Sequence, residues 1–160
     1  MTAIDTDNSA LEWLQKKIIS KKLEKKITTI NVSFFDFKSD PGFYDIILAE
    51  GFLNIIGFEP GFPEVINMLK SNGYFIIHDE LRENEKKCEC IRKNRCELID
   101  SLFLDEKVWW NDYYKQLDNE INTVKNGQLA DLFSSDLKEI EYYKQDPSPF
   151  KSIYYIVRKL

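Results

Sequence analysis

Apolar residues recur with a helical period near the start of the chain, at Leu11, Leu14, Ile18, Ile19 and Leu23. Ser9 and Glu12 precede most of this stripe with the spacing of a capping box, in which each side chain accepts a hydrogen bond from a backbone amide. The pattern predicts a helix over 9–24. Lysines between the apolar positions predict a solvated outer face, and an anion-binding patch is the alternative.

Three later stretches have the composition of β-strands. ITTINVSF at 27–34 is rich in β-branched residues. YDIILAEG at 44–51 and YFIIHDE at 74–80 are nearly continuous apolar runs, which is typical of parallel strands buried on both faces. Between the last two, a loop is predicted over 57–63 and a short helix over 64–71.

The second half of the chain continues the alternation of helices and strands. The patterns predict a charged helix over 83–94, a strand over 96–104, helices over 106–121 and 128–144, and a closing strand over 152–160. Alternating strands and helices favour an α/β fold with helices on both faces of a mostly parallel sheet. Because no linker or repeat interrupts the chain, one domain over 1–160 is expected.

Composition excludes several classes of protein. The net charge of −5 argues against a general nucleic-acid binder, whose surface would be basic. No apolar run approaches the roughly 18 residues of a membrane-spanning helix, so no membrane partner is expected. Three cysteines, an odd number, favour a reducing compartment and hence the cytoplasm over a disulfide framework.

The cysteines also raise the question of a metal site. Cys88, Cys90 and Cys96 form C-x-C-x5-C, and His78 would complete a Cys3His set for zinc. However, the paired C-x2-C knuckles of structural zinc sites are missing, and the segment has the pattern of a charged helix. We therefore expect ordinary reduced thiols and no metal.

Polar residues follow the predicted strands at their carboxyl ends. They are Asp5, Asp36, Glu50 and the tripeptide His-Asp-Glu at 78–80. Because ligands of open parallel sheets bind beyond these ends, the pattern predicts a polar cleft along one edge. An aspartate there can accept both hydroxyls of a ribose. His78 is a candidate general base, and a hydrogen-bonded structural histidine is the alternative.

The block YDIILAEGFLNIIGFEPGFPEVINMLKSNGYFIIHDE strongly resembles the middle of class I S-adenosylmethionine-dependent methyltransferases. CELIDSLFLDEKVWWNDYY and SIYYIVRKL are similar to later segments of the same family. The resemblance implies a Rossmann-like three-layer α/β/α fold with a mostly parallel sheet and an antiparallel last strand. It also implies S-adenosyl-L-methionine as cofactor and methyl transfer to a small-molecule acceptor.

The resemblance extends to individual site residues. Asp5, with Thr6 beside it, matches the position that holds the cofactor's ribose. Asp36 and Phe37 match the position near the adenine. Glu50 matches the strand end beside the methionine portion and the acceptor, where it is a candidate for catalysis as well as for cofactor binding.

Aromatic residues are candidates for the acceptor pocket. Trp109, Trp110, Tyr113 and Tyr114 lie in one predicted helix. Neighbouring helix positions cannot all face the same way, so some of these side chains are expected in the core instead.

The chain departs from the family at its start, because the family's first strand, glycine-rich GxGxG turn and first helix are absent from these 160 residues. The explanations are a fragment, a natural truncation whose second and fourth strands pair, or a partner that supplies a strand. We expect weak or absent cofactor binding, and exposed strand edges that favour self-association. The alternative function is a non-catalytic methyltransferase-like remnant that serves as an interaction module.

Purified protein is expected to contain no stoichiometric zinc, because the cysteine spacing is poor for a structural site and a reducing compartment explains the free thiols. Elemental analysis of the purified chain checks this. One zinc per chain would overturn the expectation.

Overall fold

The computed structural model describes residues 1–124 and 133–160. They form two compact units, Met1–Asp40 and Pro41–Leu160, each with its own sheet. The single domain expected over 1–160 stays a prediction. Within the described ranges, no helix combines the length and the apolar character needed to cross a membrane. Part of the helix predicted over 128–144 lies outside these ranges.

The first unit is a β-α-β arrangement. Strand β1 (Thr2–Asp5) leads into helix α1 (Asn8–Ser20), and strand β2 (Thr28–Asn31) returns parallel to β1. The register places Asp5 opposite Asn31, so both strands end at the same edge. Leu11 and Ile18 of the predicted apolar stripe are buried. The helix and the second strand are both shorter than predicted.

The capping box predicted at Ser9 is wrong, because Asp7 caps the helix instead. The Asp7 carboxylate accepts hydrogen bonds from the backbone amides of Ser9 and Ala10, at 2.8 and 3.2 Å. Glu12 accepts from the side-chain amide of Asn8 at 2.7 Å and is not available to close a box. Because the capping carboxylate lies two residues before the predicted cap, the helix begins nearer the N-terminus than predicted.

The second unit contains a four-stranded sheet with the order β3-β4-β6-β5. Its strands are β3 (Tyr44–Glu50), β4 (Leu69–Glu80), β5 (Cys96–Leu104) and β6 (Ser152–Lys159). β3 and β4 are parallel, whereas β6 lies antiparallel between β4 and β5. The predicted antiparallel last strand is confirmed.

Helices of the second unit connect these strands. They are α2 (Leu53–Ile56), α3 (Phe58–Met68), α4 (Asn84–Lys93), α5 (Glu106–Trp109), α6 (Lys115–Val124) and α7 (Ser134–Gln145). A π-helical turn, Trp110–Tyr114, joins α5 to α6, and a 3₁₀ turn, Ser148–Phe150, precedes β6.

The loop predicted over 57–63 is wrong, because α3 already begins at Phe58. Pro60 lies in the first turn, where backbone N–H groups have no partner within the helix and a proline is tolerated. Pro63 lies inside the helix. The segment 69–71, predicted as helix, is the start of β4. Glycine and proline are therefore poor guides to this helix boundary.

α3 covers one face of the sheet with aromatic side chains. Phe62 lies 5.8 Å from Phe75 of β4, and Phe58 lies 6.2 Å from Tyr155 of β6, measured between ring centroids. β3 does not share this burial, since Ile46 and Leu48 are 57% and 62% exposed. The prediction that β3 is buried on both faces is wrong, because this edge strand pairs only with β4 among the described residues.

A buried ion pair closes the carboxyl end of β4. Lys87 Nζ of α4 lies 3.0 Å from Asp79 Oδ2 and donates to the carbonyl of Glu80 at 2.5 Å. Asp79 and Lys87 are 3% and 9% exposed as whole residues. The other Asp79 oxygen accepts the backbone amide of Glu80 at 2.8 Å. Asp79 therefore has a structural role.

Replacing Asp79 with alanine is expected to lower the free energy of unfolding by about 3 to 5 kcal/mol, because Lys87 is left as an uncompensated buried charge. Glu89→Ala, which breaks an exposed pair with Lys93, is the control and is expected to change it by less than about 0.5 kcal/mol. Urea unfolding measures both. Equal changes in the free energy of unfolding would show that the buried ion pair stabilises the fold no more than the exposed pair does.

Candidate active site

One residue from each of three neighbouring strands lies in a single row across the sheet. The parallel register pairs Glu50 of β3 with His78 of β4, and the antiparallel register pairs His78 with Tyr154 of β6. Paired residues of adjacent strands project from the same face of a sheet. The three side chains therefore meet at the carboxyl ends of β3 and β4.

Hydrogen bonds connect this row to a fourth residue. His78 Nδ1 lies 3.2 Å from Glu50 Oε2, and the Tyr154 hydroxyl donates to the same oxygen at 3.0 Å. His78 Nε2 lies 2.9 Å from Ser152 Oγ. We assign the proton of the neutral ring to Nδ1, because the carboxylate beside that nitrogen only accepts hydrogen bonds. Nε2 then accepts a hydrogen bond from the Ser152 hydroxyl.

Two aromatic rings stack on the imidazole of His78. The Tyr154 ring stacks on His78 with centroids 4.4 Å apart at 11°, and the Trp109 ring stacks at 5.9 Å and 17°. The His78 side chain is only 14% exposed. Burial and the bond to Glu50 raise the pKa of Tyr154, so this hydroxyl remains a donor at neutral pH.

A cavity of about 810 Å³ opens beside these residues. Its volume lies within the range that accommodates small-molecule ligands. Its walls include Glu50, His78, Trp109, Tyr114, Phe150 and Ser152. Tyr114 donates to Glu139 at 2.7 Å, and burial together with this carboxylate raises the Tyr114 pKa. The site therefore combines aromatic walls with a small number of polar groups.

The four aromatic residues predicted for the acceptor pocket differ in their contact with the cavity. Trp109 and Tyr114 line it. Trp110 stacks on Tyr143 with ring centroids 5.8 Å apart and does not line the cavity, although both tryptophans pack against the buried cluster that contains Tyr114 and Tyr143. Tyr113 is 49% exposed and also lies outside the lining. The π-helical turn places successive aromatic residues in these different environments.

Asp5 and Thr6 lie at the end of β1 in the first unit. Asp5 Oδ1 accepts the amide of Asp7 at 2.8 Å, and its second oxygen has no hydrogen-bond partner among the described residues. The side chain of Asn31 donates to the carbonyls of Asp5 and Thr6, both at 3.1 Å. These bonds fix the strand end and leave an exposed carboxylate there.

Asp36 and Phe37 follow β2 in a turn of the same unit. The amides of both residues donate to the carbonyl of Ser33 at 3.0 Å. Asp36 is exposed and Phe37 is half-buried. β1 and β2 are parallel, so both carboxylates follow strands that end at the same edge of the two-stranded sheet.

The cysteines are separate from the cavity-lining residues. Cys90 and Cys96 are buried, and burial raises the pKa of Cys96 to about 11. Cys88 contacts the side chain of Asn84. His78 is bonded to Glu50 and Ser152. Across residues 1–124 and 133–160, no group of three or more His, Cys, Asp or Glu residues has the arrangement of a metal site.

Comparison with solved structures assigns the fold. The chain matches the [4+2]-cyclase SpnF with a TM-score of 0.80 at 14% identity, covering 99% of this chain and 66% of SpnF. A protein of Galdieria sulphuraria, provisionally named a sarcosine dimethylglycine methyltransferase, matches with a TM-score of 0.78 at 13% identity, covering 99% and 69%. A methyltransferase of Thiobacillus denitrificans in complex with S-adenosylhomocysteine matches at 0.68 and 14%, covering 98% and 73%.

These similarities show that the chain has the Rossmann-like fold of S-adenosylmethionine-dependent methyltransferases. The chain spans about two thirds of the length of the solved structures it matches. No family model and no curated protein sequence matches it.

Ser152 and Tyr154 are site residues that sequence analysis did not identify. The closing strand could have identified them. When the last strand is antiparallel, its first residues lie at the carboxyl end of β4. Serine and tyrosine at alternating positions of that strand face the same side as His78.

The neutral imidazole of His78 is expected to carry its proton on Nδ1, because Glu50 Oε2 lies 3.2 Å from that nitrogen and a carboxylate can only accept. Nitrogen-15 NMR of histidine-labelled protein measures this directly, since His78 is the only histidine of the chain. Glu50→Ala should shift the tautomer toward Nε2–H, whereas Glu64→Ala, a variant outside the cavity, should not. A neutral ring protonated on Nε2 in the unaltered protein would contradict the assigned hydrogen bonds.

Proposed function

We propose that this chain binds S-adenosylmethionine and supports methyl transfer to a small-molecule acceptor. The observation that carries the proposal is the Glu50–His78 pair, which lies in the wall of a ligand-sized cavity in a methyltransferase fold. A base oriented by a carboxylate can remove a proton from an acceptor. The fold alone does not determine the reaction, because SpnF is described as a cyclase.

The described residues fit the nucleoside part of the cofactor. The free oxygen of Asp5 can accept from ribose hydroxyls, and the exposed carboxylate of Asp36 can accept from an exocyclic amine. Thr6 and Phe37 lie beside these groups in sequence. We assign the four residues to nucleoside binding. S-adenosylmethionine supplies, when bound, a methyl group activated by its sulfonium sulfur.

The second unit offers fewer groups for the cofactor's amino-acid end. No G-x-G pattern occurs in these 160 residues, and such a turn allows the backbone to approach a ligand closely. Among the proposed site residues, Glu50 is the one assigned to that end of the cofactor. We therefore expect binding in the millimolar range.

His78 acts as the base in this proposal. In the assigned tautomer the proton is on Nδ1, 3.2 Å from Glu50, and Nε2 is unprotonated; the same carboxylate stabilises the imidazolium that forms after proton transfer. Trp109 and Tyr154 fix the plane of the ring and exclude water from its faces. Trp109 also supplies an aromatic wall for the acceptor. We keep Trp110 and Tyr113 outside the acceptor site, because neither lines the cavity.

A second function is an interaction module without catalysis. The specific observation in its favour is the edge strand β3, whose Ile46 and Leu48 side chains are more than half exposed. An exposed apolar edge strand is a template for pairing with another chain. Self-association through this edge remains a prediction of the sequence analysis.

S-adenosylhomocysteine is expected to bind the chain with millimolar affinity, detected by saturation-transfer NMR of its adenine and ribose protons. Asp5→Asn and Asp36→Asn should each weaken binding by about 1.5 to 3 kcal/mol, the range for hydrogen bonds to a charged group. Asparagine at position 5 can still accept the amide of Asp7, so the turn is retained.

Asp40→Asn, an exposed carboxylate of the same unit, is the matched control and should bind like the unaltered chain. No transfer to the ligand at millimolar concentration would favour the interaction module. Binding that neither variant weakens would remove Asp5 and Asp36 from the site.

A further inference from the structure

His78 lines the cavity, but its ring nitrogens have close neighbours and its side chain is only 14% exposed. The Tyr154 and Trp109 rings stack on the imidazole. Glu50 Oε2 lies 3.2 Å from Nδ1, and Ser152 Oγ lies 2.9 Å from Nε2. A proton that moves from the cavity to Nε2 therefore meets Ser152 first.

Ser152 is the neighbour whose chemistry suits this role. Its oxygen lies 2.9 Å from Nε2; in the assigned tautomer the hydroxyl donates to Nε2, and the oxygen keeps lone pairs that can accept a second hydrogen bond. Ser152 is 4% exposed, yet it lines the same cavity as His78. The Glu50 carboxylate, in contrast, lies beside Nδ1, the nitrogen that carries the proton in the assigned tautomer.

We infer that Ser152 relays a proton from a hydroxyl group of the acceptor to His78. The relay rests on the proposed function, in which His78 is the base. It makes Ser152 a catalytic residue, because its oxygen contacts the reacting hydroxyl. It also specifies the acceptor as an alcohol or phenol, which must lose a proton to become a strong nucleophile, whereas a carboxylate is already ionised at neutral pH.

The proton transfer balances within three groups. The O–H bond of the acceptor breaks, and its proton bonds to Ser152 Oγ while the original Ser152 proton moves to His78 Nε2. The electron pair of the broken bond stays on the acceptor oxygen, which becomes the nucleophile. Ser152 ends neutral, and the positive charge on His78 faces Glu50.

The variant Ser152→Cys tests this contact without requiring an acceptor or cofactor. A thiol beside an imidazole titrates as a thiolate–imidazolium pair, so its alkylation by iodoacetamide should show a midpoint at about pH 6 to 7. Peptide mass spectrometry separates the new site from native thiols, of which Cys90 and Cys96 have pKa values raised by burial.

Two variants serve as controls. Ser148→Cys places a thiol in the same cavity, where the native hydroxyl contacts Asp146 and not His78, and its midpoint should be at or above about 8.5. Ser152→Cys combined with His78→Gln should lose the low midpoint. A midpoint equal to that of Ser148→Cys, or no alkylation where Ser148→Cys reacts, would overturn the relay.

A second measurement uses the unaltered chain and does not depend on the cysteine variant folding. Diethyl pyrocarbonate acylates unprotonated imidazole nitrogen, and Ser152 should protect Nε2 of the single histidine. Ser152→Ala is expected to react about tenfold faster, and Ser152→Thr, which keeps the hydroxyl, should react like the unaltered chain. Reaction of the unaltered chain as fast as free imidazole would overturn the inference.

Failure of the relay and failure of the proposed function give different results. Loss of both Ser152 signatures with S-adenosylhomocysteine binding intact would reject the relay alone. Absence of that binding with a low thiol midpoint would reject the methyltransferase proposal and leave the Ser152–His78 proton contact established.

Discussion

The register of β6 between β4 and β5 is the constraint on which the candidate site depends. Because β6 runs antiparallel, its first residues meet the carboxyl end of β4, where Ser152 pairs with Glu80 and Tyr154 pairs with His78. A slip of one residue would turn Tyr154 to the opposite face of the sheet. His78 would then lose both the stacked ring of Tyr154 and the hydroxyl of Ser152.

Strand alternation gives the residues of one short motif different roles. His78 and Glu80 project from one face of β4, whereas Asp79 projects from the other face, where its buried carboxylate pairs with Lys87. The buried carboxylate stabilises the strand end and is unavailable to a ligand. The histidine on the other face keeps its contact with the cavity. At this strand end, one polar residue therefore stabilises the structure and its neighbour is a candidate for catalysis.

Local sequence patterns predicted several elements because the interactions that stabilise them are local. The strand over 96–104 matches β5, and the charged helix predicted over 83–94 matches α4 within one residue at each end. The loop over 57–63 failed because tertiary packing of Phe58 and Phe62 outweighs the glycine and proline signals. The burial predicted for β3 failed because an apolar run does not reveal how many strands lie beside it.

The sequence by itself determined the class of fold and two members of the site, Glu50 and His78, because both follow recognisable apolar strands. Only the tertiary structure identified Ser152 and Tyr154, whose partners His78 and Glu50 lie 74 and 104 residues away. It also showed that Trp109 lines the cavity whereas Trp110 does not. Periodicity reports which face of an element is apolar, whereas long-range strand register selects the residues that meet across the sheet.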